Sequence, residues 1–376
     1  MIPVFSRWSH TLYTGVAKPL LFRRPPDAVH ADMVRLASRA QRLTPLRQAV
    51  ARSWAYHNPA LLSQQLAGLT FTNPVGLSAG FDKNFELVPL MRALGFGFME
   101  GGSLTYEVCA GNPRPWFYRL PQSRSLVVNA GLANQGVERI GRRLQGYPRD
   151  LFTGFPLNIS VAKTNSPAAA SDEAAIADYC GSLSHLASAN LGQLYTLNIS
   201  CPNTFGGQPF TTSARLERLL AAVDDLRLTR PVFIKMPSHL DWPAFNELTA
   251  VAARHASVTG LTISNLAYRE QVKLDDALPE TIPGKLSGRP TWERSNQLIR
   301  ATRLAYGDRF LIIGVGGIFS AADAYTKIRL GANLVELITG LIYEGPALIG
   351  QINHGLAELL ARDGYTNIGQ AVGADL

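Results

Sequence analysis

"TLNISCPNTFGG", residues 196–207, runs from an apolar stretch straight into two asparagines, a serine and a cysteine packed around a proline. A strand that only fills a core has little use for that chemistry at its end. The carboxyl end of a strand in a closed parallel barrel does, because functional groups gather at that rim.

The rest of the chain supplies the barrel. From residue 70 onward, short apolar or β-branched runs alternate with stretches of helical periodicity, as in parallel βαβ units. Eight such runs can be read: 73–80, 96–103, 155–162, 195–200, 231–236, 258–265, 310–317 and 333–340. Between them lie amphipathic segments such as 173–190, 213–228 and 291–306. This pattern predicts an α/β fold, a (β/α)8 TIM barrel over 67–376. A doubly wound sheet would carry a glycine-rich dinucleotide turn after its first strand. "VGLSAGFDK" (75–83) has none, and "GVGGIF" (314–319) breaks the pattern at Phe319.

Residues 1–66 read as a separate N-terminal helical extension. They hold nine Lys/Arg against two Asp, so this segment carries +7 of the net charge of +8. The helix expected at 27–43 follows Pro25 and Pro26, with Asp27 as its N-cap, and "WSHTLYTGVAKPLLF" (8–22) mixes aromatic and cationic residues as a water–lipid interface would. The segment is read as a membrane contact or as a helical cap on the barrel. No apolar stretch approaches membrane-spanning length, and Arg7 interrupts the start before a secretory signal could develop. The expected location is therefore peripheral, on the cytoplasmic side of the membrane. Three cysteines with no metal-ligand spacing predict free thiols, no metal and no disulfide.

The expected strand ends place Ala79, Gly80, Asp82, Lys83, Ser103, Asn158, Asn198, Ser200, Cys201, Asn203, Lys235, Ser264 and Asn265 around one mouth. Four amides, Asn158, Asn198, Asn203 and Asn265, suit a planar ring bearing carbonyl and N–H groups. Lys235 lies inside the buried run "VFIKM", where an ammonium needs an anionic or strongly accepting partner. An electron-rich ring such as a flavin would serve, and a carboxylate is the other option. "GVGGIFS" and "ITGLIY" end the seventh and eighth strands with glycines suited to a phosphate, with a helix starting near Ser320. Cys201, in a polar loop fixed by Pro202, is placed to move a proton. Cys109 and Cys180 have no such company and read as inert.

With "AGFDKN", "NISCPNTFGG", "IKM", "KLSGRP", "IIGVGGI" and the "TG" of the eighth strand, the chain resembles the dihydroorotate dehydrogenases over roughly residues 66–352. Its N-terminal segment resembles that of the class 2, quinone-using, membrane-associated members. The resemblance implies FMN bound by Ala79, Gly80, Lys83, Ser103, Asn158, Asn198, Lys235, Ser264, Gly288, Gly316, Gly317, Thr339 and Gly340. It implies dihydroorotate held by Lys83, Asn198, Asn203 and Asn265, and a quinone as electron acceptor. Two departures stand out. Class 2 enzymes carry serine as the base, whereas Cys201 is the class 1 residue. Where the family has a substrate-gripping asparagine, "VVNAGLANQG" (127–136) puts Val128, with Asn129 one place later. Either a one-residue slip substitutes Asn129, or the pocket differs and another dihydropyrimidine is the substrate. A non-catalytic barrel that binds membranes is the reading from a different class. The positive charge does not extend over the barrel, so no nucleic-acid partner is expected.

Overall fold

The computed structural model describes residues 4–205 and 207–376; Met1–Pro3 of the extension and Gly206 of the cysteine loop lie outside the described residues. Eight parallel strands close into a barrel: β1 (Val75–Leu77), β2 (Phe98–Leu104), β3 (Leu157–Val161), β4 (Leu194–Asn198), β5 (Val232–Lys235), β6 (Val258–Ile263), β7 (Leu311–Val315) and β8 (Leu334–Leu337). Each falls within or beside one of the eight runs read from the sequence.

Side chains alternate in direction along a strand, so residues two apart share the inner face. At the amino ends that face is an apolar floor made by Phe98, Leu194, Phe233, Ile313 and Leu334. Two glycines make room for it. A Cβ on Gly76 would lie 2.3 Å from the Phe98 ring, and one on Gly260 2.2 Å from the Phe233 ring. A hairpin of Gln64–Leu66 and Leu69–Phe71 closes this end, with Phe71 edge-on to Phe98 at 5.5 Å between centroids. Two residues further along the same strands stand Glu100, Thr196, Lys235 and Glu336. The barrel interior therefore turns from phenyl rings to charge within one step of the pleat.

Around the barrel, the helices Asp172–Ser188, Ser213–Asp225 and Trp292–Tyr306 close on the expected segments. Each buries apolar residues at three- and four-residue spacing, such as Leu216, Leu219, Leu220 and Val223. Over the mouth lies a three-stranded antiparallel sheet, Phe117–Leu120, Ser125–Val128 and Lys285–Gly288, which the sequence patterning did not reveal.

The first residues form helices α1 (Val4–Leu12), α2 (Lys18–Phe22), α3 (Pro26–Ala40) and α4 (Thr44–Trp54), with a π-helical turn at Tyr13–Ala17. They lie against the mouth: the Tyr13 hydroxyl donates to the Ile342 carbonyl at 2.7 Å, and the Trp54 indole donates to Ser9 Oγ at 2.9 Å. Asp27 is not the N-cap expected of it. Pro25 precedes the helix without a side-chain cap, while the Asp27 carboxylate accepts from the backbone N–H of Trp116 and Phe117 and pairs with Arg114 at 3.1 Å. An acid placed to cap a helix has become the tie between α3 and the sheet above the mouth.

Candidate active site

Two adjoining cavities occupy the mouth. The larger, about 410 Å³, is walled by Ala79, Gly80, Lys83, Ser103, Asn198, Cys201, Asn203, Lys235, Asn265 and Thr339. It continues past Val128 and Arg119 to Tyr13, Leu21, Val29, His30 and Met33 on the N-terminal helices. The smaller, about 90 Å³, is walled by Ser264, Gly288, Gly316, Gly317 and Gly340, and shares Ala79, Lys235, Asn265 and Thr339 with the first. Glycine is required on this wall: Gly316 and Gly317 have φ of +114° and +73°, and a Cβ on Gly340 would lie 2.1 Å from the Ile318 carbonyl oxygen. The helix Ala321–Arg329 does not offer a bare amino end there. Ser320 accepts from the Asp323 N–H at 3.2 Å, and Asp323 pairs with Arg289 at 3.0 Å.

Polar groups on the rim are cross-linked. Asn198 donates to Ser103 Oγ at 2.8 Å, and Asn265 donates to Asn198 Oδ1 at 3.2 Å and to Ser200 Oγ at 2.9 Å. Asn158 is fully buried, donates to Thr196 Oγ1 at 2.8 Å and does not line either cavity. Lys235 has the carboxylate partner that the sequence left in doubt, Glu100 on β2, at 3.4 Å, and it also donates to Ser78 Oγ at 3.2 Å.

Asn129 stands apart from the others. Val128 pairs with Phe117 on one side and Lys285 on the other, so two ladders pin its register. Leu126, Val128 and Ala130 face the larger cavity, and the pleat turns Asn129 the opposite way. Its side-chain oxygen accepts from Asn112 at 3.0 Å. The one-residue slip does not occur, and an isopropyl group takes the place of an amide on the wall.

Asn129 belongs instead to a brace around the cysteine loop. Asn112 donates also to the Asn203 carbonyl at 3.0 Å, Asn203 donates to the Val128 carbonyl at 2.8 Å, and Asn165 accepts from the Phe205 N–H at 2.6 Å. Lys163 donates to the Phe205 carbonyl at 2.8 Å. Sequence reading passed over Asn112, Asn165 and Lys163 because none ends a barrel strand in a recognisable motif.

Cys201 packs against Cys109, Leu132 and Ala162 while facing the larger cavity. Burial pushes its thiol up to about 11, against the pull of a hydrogen bond at Asn203 and the charges of Lys163 and Lys235. Lys83, donating to the Gly80 carbonyl at 2.9 Å beneath the rings of Trp116 and Phe117, is lowered by burial to about 8. It is an ammonium at neutral pH on the wall that also carries the amides. His30, lowered by burial to about 4, is neutral, and its Nε2 lies 2.9 Å from the Phe81 carbonyl. The far end of the cavity is thus apolar with few polar marks.

These features fit a flavin mononucleotide: a cavity edged by amides and a lysine, continuing into a glycine wall that a Cβ would fill. The family model for dihydroorotate dehydrogenase matches residues 61–360. The chain is 39% identical to the quinone dihydroorotate dehydrogenase of Deinococcus deserti, covering 97% of this chain and 100% of that one. It is 36% identical to that of Natronomonas pharaonis, covering 96% and 98%. Among solved structures, DHODH of Eimeria tenella in complex with ferulenol superposes with a TM-score of 0.80 at 25% identity, over 93% of this chain and 95% of the other.

Proposed function

Because the chain belongs to the dihydroorotate dehydrogenase family, whose members oxidise dihydroorotate in pyrimidine biosynthesis, we propose that it oxidises dihydroorotate to orotate with bound FMN and passes the electrons to a membrane quinone. It is an oxidoreductase acting on a CH–CH bond. One observation carries the reading: a single cavity joins the amide-lined wall around Cys201 to an apolar passage between the N-terminal helices.

Bound FMN would supply a hydride acceptor for C6 of the substrate and a two-electron donor for the quinone. The chain's own residues do the rest. Lys83 meets the substrate carboxylate, and Asn198, Asn203 and Asn265 hold the ring by its carbonyl and N–H groups. Cys201 takes the C5 proton as a thiolate. Lys235 and Ser264, with the glycines 288, 316, 317 and 340, hold the cofactor. The quinone enters between α1, α2 and α3, past His30 and Arg119. Four exposed apolar residues at steps of four, Trp8, Leu12, Val16 and Leu20, are 52–74% exposed along α1, the π-helical turn and α2. They suit a peripheral hold on a lipid surface.

Val128 on the wall favours a second reading, in which another dihydropyrimidine is the substrate. Mixing the yellow protein with dihydroorotate without oxygen should bleach it within the turnover time, and dihydrouracil should not. Bleaching by dihydrouracil alone moves the assignment to the second reading, and protein without flavin absorbance removes both.

A further inference from the structure

The inner layer above the phenyl floor holds more acceptor oxygens than donors. Lys235 lies 3.4 Å from Glu100 Oε1, and the other Glu100 oxygen has no partner. Both oxygens of Glu336 and the Thr262 hydroxyl are likewise fully buried without partners. Glu100 is on β2 and Glu336 on β8, the two neighbours of β1 in the barrel, and both side chains are completely shielded from solvent. The neighbouring groups are Ser78 just past the end of β1, Lys235 from β5 and its register partner Thr262 from β6, so one cation serves two carboxyls.

Two carboxylates that share a buried site cannot both stay ionised beside a single ammonium. Glu100 is the one in contact with Lys235, which leaves the proton to Glu336. We propose that Glu100 and Glu336 hold one proton between them, carried on Glu336 and donated to Glu100, so that the two carboxyls carry a single negative charge against the one ammonium of Lys235 beneath the smaller cavity. Glu336 borders the smaller cavity, but its carboxyl oxygens are shut off from it. Burial first and the Glu100 charge second hold its carboxyl well above the usual range, with Lys235 opposing. The shared proton does not depend on the flavin reading.

Infrared difference spectra of wild type minus Glu336→Gln at about pH 8 cancel the flavin carbonyl bands and isolate the side chain. A carbonyl band of a protonated carboxylic acid, shifting in D2O, is expected in the wild type. Its absence overturns the proposal, whether or not the protein holds flavin. In Glu100→Gln the remaining carboxyl faces Lys235 alone and should ionise, so the same band should be lost from that variant as well. A band that persists in Glu100→Gln overturns the sharing of the proton.

Discussion

As the proposed base, Cys201 joins two demands that pull against each other. Proton abstraction needs the thiolate, yet the walls that shield the reacting atoms from water push the thiol up to about 11. At neutral pH the sulfur is protonated, and only a small fraction of molecules is ready to react. The sign follows directly: raising pH toward that value increases the thiolate. Flavin reduction by dihydroorotate should therefore rise about tenfold per pH unit from about pH 6 to about pH 8, where loss of the Lys83 ammonium begins to oppose it, as stopped-flow absorbance would read. Cys201→Ala should slow the same step by about a hundredfold or more, in line with the loss of a general base. A flat pH profile, or an Ala variant that reduces at the wild-type rate, assigns the proton to another group. The place of Cys201 at the rim was legible in the sequence, from the strand end before it and the proline after it, and the residue lines the larger cavity. Lys235 was half legible: the sequence showed that it needed a partner, but Glu100 lies 135 residues away and only barrel closure brings the two together.

Among the elements, the strand Ser125–Val128 decides what the wall is made of. Its neighbours on both sides fix its register, and the two-residue alternation then faces Val128 inward and Asn129 outward. Sequence alone could not choose between a slip and a changed wall, since the pairing partners come from Phe117–Leu120 and Lys285–Gly288, one of them more than 150 residues away. The eight barrel strands were legible because each is a short buried run between helices. The sheet over the mouth was not, because its strands are short and partly exposed, and the third pairs across more than 150 residues. Turned outward, Asn129 joins Asn112, and Asn112 reaches the Asn203 carbonyl two residues beyond Cys201. If this brace fixes where the sulfur sits, Asn112→Ala should slow flavin reduction by about tenfold or more, as a small displacement of a reacting group does. Reoxidation of the flavin by quinone, which does not involve the loop, should keep its wild-type rate. A parallel fall in both half-reactions would mean that Asn112 supports the fold and not the position of the base.

At the scale of the whole molecule, charge and greasiness are both concentrated at one end. Residues 1–66 carry +7 of the net +8, and α1 to α2 present Trp8, Leu12, Val16 and Leu20 to solvent along one stripe. No helix among the described residues is long and apolar enough to cross a membrane. A stripe of this kind buries its side chains to the depth of the headgroups, while the arginines beside it attract anionic lipid. The same helices wall the apolar end of the larger cavity, so whatever surface they rest on is also the source of whatever enters there. That coupling makes a separable prediction. Replacing Leu12, Val16 and Leu20 together by serine removes apolar area from the stripe and leaves the barrel mouth as it is. Co-sedimentation with vesicles rich in phosphatidylglycerol should fall by about tenfold or more, since each buried aliphatic side chain contributes on the order of 1 kcal/mol or more. Turnover with a long-tailed quinone held in those vesicles should fall with it, while turnover with a short, water-soluble quinone and the rate of flavin reduction should not change. Unaltered sedimentation would show that the stripe faces something other than lipid. A loss of flavin reduction would show that the helices shape the substrate end of the cavity as well as its entrance.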